Sequence, residues 1–291
     1  MSREAAWLAV DVGGTKLDVG VVTQTGSVLA RLRAATAGSA DGGAEGLADS
    51  LVALCRAALV EAGPVEAVGV GCGGPMEGDL VSPLNIPAWK QFPLRDHLEA
   101  ELDLPVHLDN DAKALALGEG WLGAAAGVDD YLAMVVSTGV GGGIVLDGRL
   151  LDGALGNAGH IGHVIVEPGG AECPCGARGC LEAECSGRGL ERRLGRPAAE
   201  APPEVVERTG RLVGRAVASV CNLLDLRLAL VAGSVALGFG QPFFAAAQAE
   251  LAASARLLFS SGAVIRPGGL GPDGPLLGAA AVARRRCRAP A

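Results

Sequence analysis

The chain has 291 residues, of which 49% are hydrophobic, 19% charged and 45 are Gly, and it carries a formal net charge of −8. This composition excludes disorder, which needs low hydrophobicity, and collagen, since no G-X-Y period accompanies the Gly. The acidic balance, with a pI of about 5.1, argues against nucleic acid or an anionic membrane as partner.

The length predicts about two domains with a substantial core. With 3% aromatics, that core must be Ala, Val and Leu packed around Gly turns. Gly stands well above its usual share of ~7%. Base-composition bias accounts for part of the excess, and tight backbone geometry or close approach of backbone to a ligand for the rest.

In chain order, Met1 to Val10 contains no long apolar stretch, which predicts no secretory signal. Residues 7–22 read as strand, Gly turn, strand. Residues 45–62 place Leu47, Leu51, Leu54, Ala58 and Leu59 at helical spacing. Residues 67–70 form a short buried strand running into Gly71-Cys72-Gly73-Gly74-Pro75. A strand at 106–108 leads into a helix at about 112–121. The opening pattern then recurs at 131–146, again strand, Gly turn, strand. Residues 197–203 are a turn-rich connection, 204–226 a helix, and 228–232 a strand ending in Gly233-Ser234.

The longest uncharged stretch, 228–249, is interrupted by Gly233, Gly238, Gly240 and Pro242, so it is a poor membrane span. A helix over 276–286 closes the chain, its Arg284-Arg285-Arg286-Cys287-Arg288 tail suiting a helix C-terminus better than nucleic acid. A soluble, cytoplasmic protein is expected. Two α/β halves, each opened by a Gly-turn hairpin, predict a duplicated fold with an interdomain cleft. The expected division is 1–109 and 110–291, with the last helix able to pack back on the first part.

Asp11-Val-Gly13-Gly14-Thr15-Lys16 joins two strands. Its glycines can turn backbone N–H groups toward an anion, and Thr15 and Lys16 add donors. The plainer reading is a type I′ hairpin turn. Asp11 favours a functional role, because a carboxylate beside a phosphate cradle can hold Mg²⁺ through water. Ser137-Thr138-Gly139-Val140-Gly141-Gly142-Gly143 is a second such turn, with four glycines where a hairpin needs one or two.

Gly69-Val-Gly71-Cys-Gly73-Gly74 formally matches a dinucleotide fingerprint, but Pro75 and Gly78 follow where a helix would have to start. No Walker A motif is present. Asp109-Asn110-Asp111 closes a strand and opens a helix. One Asp can cap the helix, while the other stays free as a general base kept ionised by the helix dipole.

His160-Ile-Gly-His163 precedes Cys173-Pro-Cys175 and Cys180. One imidazole and three thiolates would make a closed tetrahedral Zn²⁺ site, with Cys185 leaving a four-cysteine alternative. Cys55, Cys72 and Cys221 lie in apolar surroundings that suit buried free thiols.

Together these residues resemble the ROK family of bacterial sugar kinases over nearly the whole chain. The resemblance rests on Asp11-Val-Gly-Gly-Thr-Lys16, Asn110-Asp111, Ser137 to Gly143, and Cys173 to Glu182. It implies an actin-like, ribonuclease-H-like two-domain α/β fold in which ATP and a sugar meet in the cleft. By position it implies Asp111 as the base that deprotonates the sugar hydroxyl. It also implies sugar contacts from Asn85, Asn110, His163 and Glu182, with Gly73-Gly74 bordering the sugar.

Gly13, Gly14, Thr15, Lys16, Thr138 and Gly139 fall at the family's phosphate loops, and Gly233-Ser234 at its adenosine motif. His163, Cys173, Cys175 and Cys180 match the zinc ligands. His160 stands where the family usually has a sugar-binding Glu, as in the N-acetylmannosamine kinase branch, and Lys113 stands where Asn or Gln is common. An imidazole cannot accept two hydroxyl bonds as a carboxylate can, which argues against plain glucose specificity.

The expected function is ATP-dependent phosphorylation of a primary hydroxyl of a hexose or amino sugar, with Mg²⁺ and structural Zn²⁺, by a homodimer or homo-oligomer. Polyphosphate is an alternative donor, and a cyclitol or secondary-metabolite precursor an alternative acceptor. A ROK transcriptional repressor would carry an N-terminal helix-turn-helix, for which a first strand starting by about Trp7 leaves no room.

Overall fold

The computed structural model describes residues 4–36, 43–83 and 85–288. It divides into two compact units: the described residues of Met1–Leu122, Asp152–Ala158 and Leu270–Ala291 form the first, and Gly123–Leu151 with Gly159–Gly269 the second.

The first unit contains β1 (Ala6–Val12), β2 (Lys16–Thr23), β3 (Val28–Ala35), α1 (Gly43–Ala62), β4 (Val68–Cys72), the short pair β5 (Met76–Glu77) and β6 (Leu80–Val81), α2 (Leu94–Leu102), β7 (Val106–Asn110) and α3 (Asp111–Leu122). Its sheet runs β3-β2-β1-β4-β7. The first three strands are antiparallel, and β1, β4 and β7 are parallel.

Alternate residues of β1 serve the two faces of the sheet. Leu8 and Val10 join a core with Leu47, Leu51 and Cys55 of α1, while Trp7 and Ala9 join a second with Leu276, Ala279 and Ala280. With helices on both faces, β1 and β4 are almost wholly apolar, as strands covered on both sides must be. The second set of partners belongs to the chain's last helix, so that helix covers the sheet of the first unit.

The second unit contains β8 (Tyr131–Val136), β9 (Val140–Leu146), β10 (Arg149–Leu150), α4 (Leu181–Cys185), α5 (Gly187–Leu194), α6 (Pro203–Leu224), β11 (Leu228–Ala232), α7 (Ser234–Ser254) and β12 (Val264–Pro267); the chain then closes with α8 (Gly274–Arg288) in the first unit. Its sheet, β10-β9-β8-β11-β12, repeats the first: three strands paired antiparallel, then parallel neighbours. The duplication expected from the two Gly-turn hairpins is therefore present strand for strand.

Helix α7 is broken at Gly240 (φ 62°, ψ −146°), one residue before Gln241-Pro242. Among the described residues no helix is long and apolar enough to cross a membrane.

The observed division differs from the expected one at 109/110. Helix α3 stays with the first unit because it packs closely on α8: a Cβ on Gly278 would lie 2.8 Å from the Ala114 carbonyl oxygen. Residues 152–158 return to the same unit through two anchors. Asp152 pairs with Lys113 and Arg285, both at 3.0 Å, and the Asn157 side chain bonds the Met76 backbone at both N–H and C=O.

Candidate functional site

In the first unit the pairing registers align Val12 with Cys72 and Cys72 with Asn110, so β1, β4 and β7 end side by side. Each end leads directly into a predicted site segment: β1 into the Gly13-Gly14 turn, β4 into Gly73-Gly74, and β7 into Asp111. The carboxyl ends of parallel strands are where α/β sheets place ligands.

The first glycine turn is not a type I′ hairpin, since neither Gly13 nor Gly14 has a positive φ. Its carbonyls are tied back into the protein. Gly13 N–H donates to Lys16 O (3.0 Å), Thr36 N–H to Thr15 O (3.1 Å) and Thr36 Oγ1 to Gly13 O (2.8 Å). Among the described residues the Gly14 and Thr15 N–H groups have no such backbone partner, donors of the kind an anion would use. A Cβ on Gly14 would lie 2.3 Å from Asn85 Cβ, so the absence of a side chain lets Asn85 sit on the turn.

The triplet Asp109-Asn110-Asp111 divides its work. Asn110 caps α3, its Oδ1 accepting the Ala112 N–H at 3.0 Å, while its Nδ2 donates to Gly74 O at 3.3 Å. Asp109 pairs with Lys113 at 2.9 Å. Asp111, in the first turn of α3, is exposed, and a Cβ on Gly73 would stand 3.2 Å from its Oδ2. The structure thus brings Gly73, Gly74, Asn110 and Asp111 together. Lys113, which departs from the family pattern, is buried at 3% exposure in this ion-pair network.

Burial pushes the Asp11 carboxyl up to about 7, and repulsion from Asp111 and Asp18 adds to it, against attraction from Lys16 and Arg31. Neighbouring carboxylates oppose each other's ionisation, and a divalent cation beside Asp11 would relieve that, so Asp11 suits Mg²⁺ held through water.

In the second unit, Ala232 pairs with Val135, so β8 and β11 also end together, leading into Ser137-Thr138-Gly139 and Gly233-Ser234. The turn's carbonyls are again occupied: Ser137 N–H donates to Gly139 O (2.9 Å), Gly187 N–H to Ser137 O (2.7 Å) and Arg188 N–H to Thr138 O (3.4 Å). The hydroxyls of Ser137 and Ser234 are 2.9 Å apart. Gly233 has a φ of 99°, and a Cβ there would meet Val136 O at 2.4 Å.

Glu182 accepts the Val140 N–H at 2.9 Å. His160 stands at the N-cap position of the 3₁₀ turn Ile161–His163 without a side-chain capping bond, and the two imidazoles lie 6.1 Å apart between centroids. A Cβ on Gly162 would sit 2.2 Å from Val140 O, so the histidine turn lies against the start of β9.

His163, Cys173, Cys175 and Cys180 bring one ligand atom each to within 4.8 Å of one another. Cys173 Sγ is 3.8 Å from His163 Nδ1, and Cys175 Sγ is 3.7 Å from Cys180 Sγ. A tetrahedral ion with metal–sulfur bonds of ~2.3 Å spaces its ligand atoms about 3.6–3.8 Å apart. The donor set and its spacing therefore fit a metal ion. Cys185 lies elsewhere, its thiol directed to Thr209 O at 3.8 Å. Cys55, Cys72 and Cys221 are buried free thiols.

Two buried carboxylates that support this scaffold carry no sequence motif. Asp18, fully buried, receives Arg31 through two hydrogen bonds (3.0 and 2.7 Å) and Arg33 at 2.9 Å, with Lys16 at 3.6 Å. Burial alone would raise its pKa, but these bonds outweigh it and hold the carboxyl below its ordinary value. The only sequence signal is an Asp inside an apolar strand facing Arg-x-Arg on the next. Glu184, also fully buried, accepts the Ala171 N–H at 2.6 Å and pairs with Arg208 at 2.8 Å and with Arg193. It anchors the start of the cysteine loop to α4 and α6.

The ROK family profile matches residues 7–286. A glucokinase from Halalkalibacterium halodurans is 41% identical over 193 residues, covering 64% of this chain. The chain spans 58% of that relative's length. An N-acetylmannosamine kinase from Yersinia pestis is 34% identical over 248 residues, covering 80% of this chain and 84% of its own. Among solved structures, a Streptomyces griseus ROK family glucokinase in complex with glucose and AMPPNP superposes with a TM-score of 0.79 at 30% identity, covering 97% of this chain and 100% of that one.

Proposed function

The chain belongs to the ROK family, and from that premise we propose that it is an ATP-dependent sugar kinase acting on a primary hydroxyl of a hexose or amino sugar. The observation that carries this reading is the common edge of β1, β4 and β7, where the Gly13-Gly14 turn, Gly73-Gly74 and the Asn110-Asp111 pair follow aligned strand ends. The glucokinase and N-acetylmannosamine kinase relatives, and the neighbour solved with glucose and AMPPNP, support the class of substrate.

In this mechanism Asp111 accepts the proton of the attacking hydroxyl, which turns an alcohol into an adequate nucleophile as it reaches the γ-phosphorus. Asn110 fixes the base by capping its helix and bonding Gly74 O, and Gly73 leaves room for the carboxylate. The N–H groups of Gly14, Thr15, Thr138 and Gly139, with Lys16, hold phosphate oxygens; Gly233-Ser234 borders the adenosine. Asp11 holds the Mg²⁺ of the nucleotide, which when bound neutralises charge on the transferring phosphoryl group.

Asn85, His160, His163 and Glu182 bind sugar hydroxyls. His160 offers one acceptor at most where a carboxylate offers several, which favours an amino or N-acetylamino sugar over plain glucose. Zn²⁺ on His163, Cys173, Cys175 and Cys180 is structural, since four protein ligands leave no open position.

The test is a coupled ADP-release assay over glucose, mannose, N-acetylmannosamine, glucosamine and kanosamine. Turnover with at least one, and preference for an amino or N-acetylamino sugar, is expected. ADP release that no sugar stimulates would overturn the reading.

A further inference from the structure

We propose that Glu182 is a positioning residue that couples the sugar side of the site to the second phosphate turn through the Val140 N–H. This rests on the sugar-kinase reading and goes beyond a sugar contact.

The Glu182 carboxylate lies against the turn at two points. Oε2 accepts the Val140 N–H at 2.9 Å, and a Cβ on Gly139 would stand 2.9 Å from the same oxygen. The glycine at 139 is thus what admits the carboxylate. The rest of the turn is held from neighbouring segments. Gly187 and Arg188 N–H donate to Ser137 O and Thr138 O, and Gly162 presses on Val140 O.

Glu182 is the one side chain in this set that carries charge to the turn's backbone, and such charge-assisted bonds are about twice as strong as neutral ones. It leaves α4 two residues after Cys180, so the same short helix joins the cysteine cluster to the turn. A carboxylate has about four acceptor sites on two oxygens. With Oε2 on Val140, Oε1 can take a sugar hydroxyl, and a sugar bound there stiffens the turn that receives the phosphates. Ordering one ligand's site before the second binds produces positive coupling.

The experiment measures Mg·AMPPNP affinity in the absence of sugar, with hydrogen–deuterium exchange over residues 138–140. Glu182→Ala is expected to weaken AMPPNP by about 5- to 20-fold, the loss of one charge-assisted hydrogen bond, and to speed exchange at those amides. Glu182→Gln, whose amide oxygen still accepts the N–H but without the charge, is expected to recover part of both losses. Its sugar affinity still falls. Should Glu182→Ala fail to fold, Glu182→Asp, one methylene too short for Val140, carries the same expectation.

Wild-type AMPPNP affinity and unchanged exchange in these variants, with sugar affinity alone reduced, would overturn the proposal. Wild-type protein that binds no AMPPNP contradicts the kinase reading instead, and exchange at 138–140 then still decides whether Glu182 holds the turn.

Discussion

The Lys113 ammonium lies 2.9 Å from Asp109, one helical turn earlier in the chain, and only 3% of the lysine side chain is exposed. The pair takes Asp109 of the Asp109-Asn110-Asp111 triplet into a buried ion-pair network. Asp109 is neutralised from within α3, and the lysine also reaches Asp152 at 3.0 Å and Gly156 O at 2.9 Å. Asp111 is exposed in the first turn of α3.

Removing one partner of a buried ion pair leaves the other charge uncompensated, at a cost of roughly 3 kcal/mol. Lys113→Met is therefore expected to lower unfolding stability by about that amount, as read from the midpoint of a urea titration. An unchanged midpoint would show that the network carries no stability.

Asp11 gives a pH dependence of definite sign. Its carboxyl is pushed up to about 7, first by burial and then by Asp111, whereas in the unfolded chain it returns to ~3.9. The folded state then binds more protons than the unfolded state between those values, so this group lowers stability as pH rises from about 4 to about 7. Above that window the full cost of the partly buried charge is present. Asp11→Asn should melt above wild type at pH about 8.5, with the gap closing by pH about 5. A gap that widens toward acid would reverse the assignment.

The cysteine cluster predicts one zinc per chain by elemental analysis. Cys175→Ser should lose that metal and melt lower, because ligand binding to the native state is folding free energy. Cys185→Ala, outside the cluster, should keep it. Metal retained by Cys175→Ser would contradict the ligand set.

Much of the scaffold is legible in the sequence because it rests on local chemistry. The strand at 228–232 has the bounds its residues predict, since an apolar run flanked by charge on one side and Gly-Ser on the other admits few alternatives. Both glycine turns are legible from their glycines. The features that escape sequence reading depend on residues far apart in the chain. Helix α7 is apolar around most of its circumference and broken at Gly240, so it shows little helical periodicity.

The edge strands β3 and β12 also escape it. The Asp18 network needs the β2–β3 register that pairs Asp18 with Arg33. The glycine excess has a structural part beyond the two hairpin turns. A Cβ on Gly69 would lie 1.9 Å from Ala279 O, and Cβ atoms on Gly210 and Gly214 would lie 2.4 and 2.3 Å from carbonyls of α7. These glycines let helices lie on backbone, a role that shows only once the packing partner is known.

Phosphoryl transfer from ATP to a sugar with Asp111 as base is checked by ³¹P NMR of the reaction mixture. Wild-type protein with Mg·ATP and its preferred sugar should yield ADP and one sugar phosphate in equal amounts. Asp111→Asn should bind both ligands yet form product slower by about 10²- to 10⁴-fold, the usual contribution of a general base. Equal product from Asp111→Asn, or ATP hydrolysed to inorganic phosphate with no phosphosugar, would contradict the account.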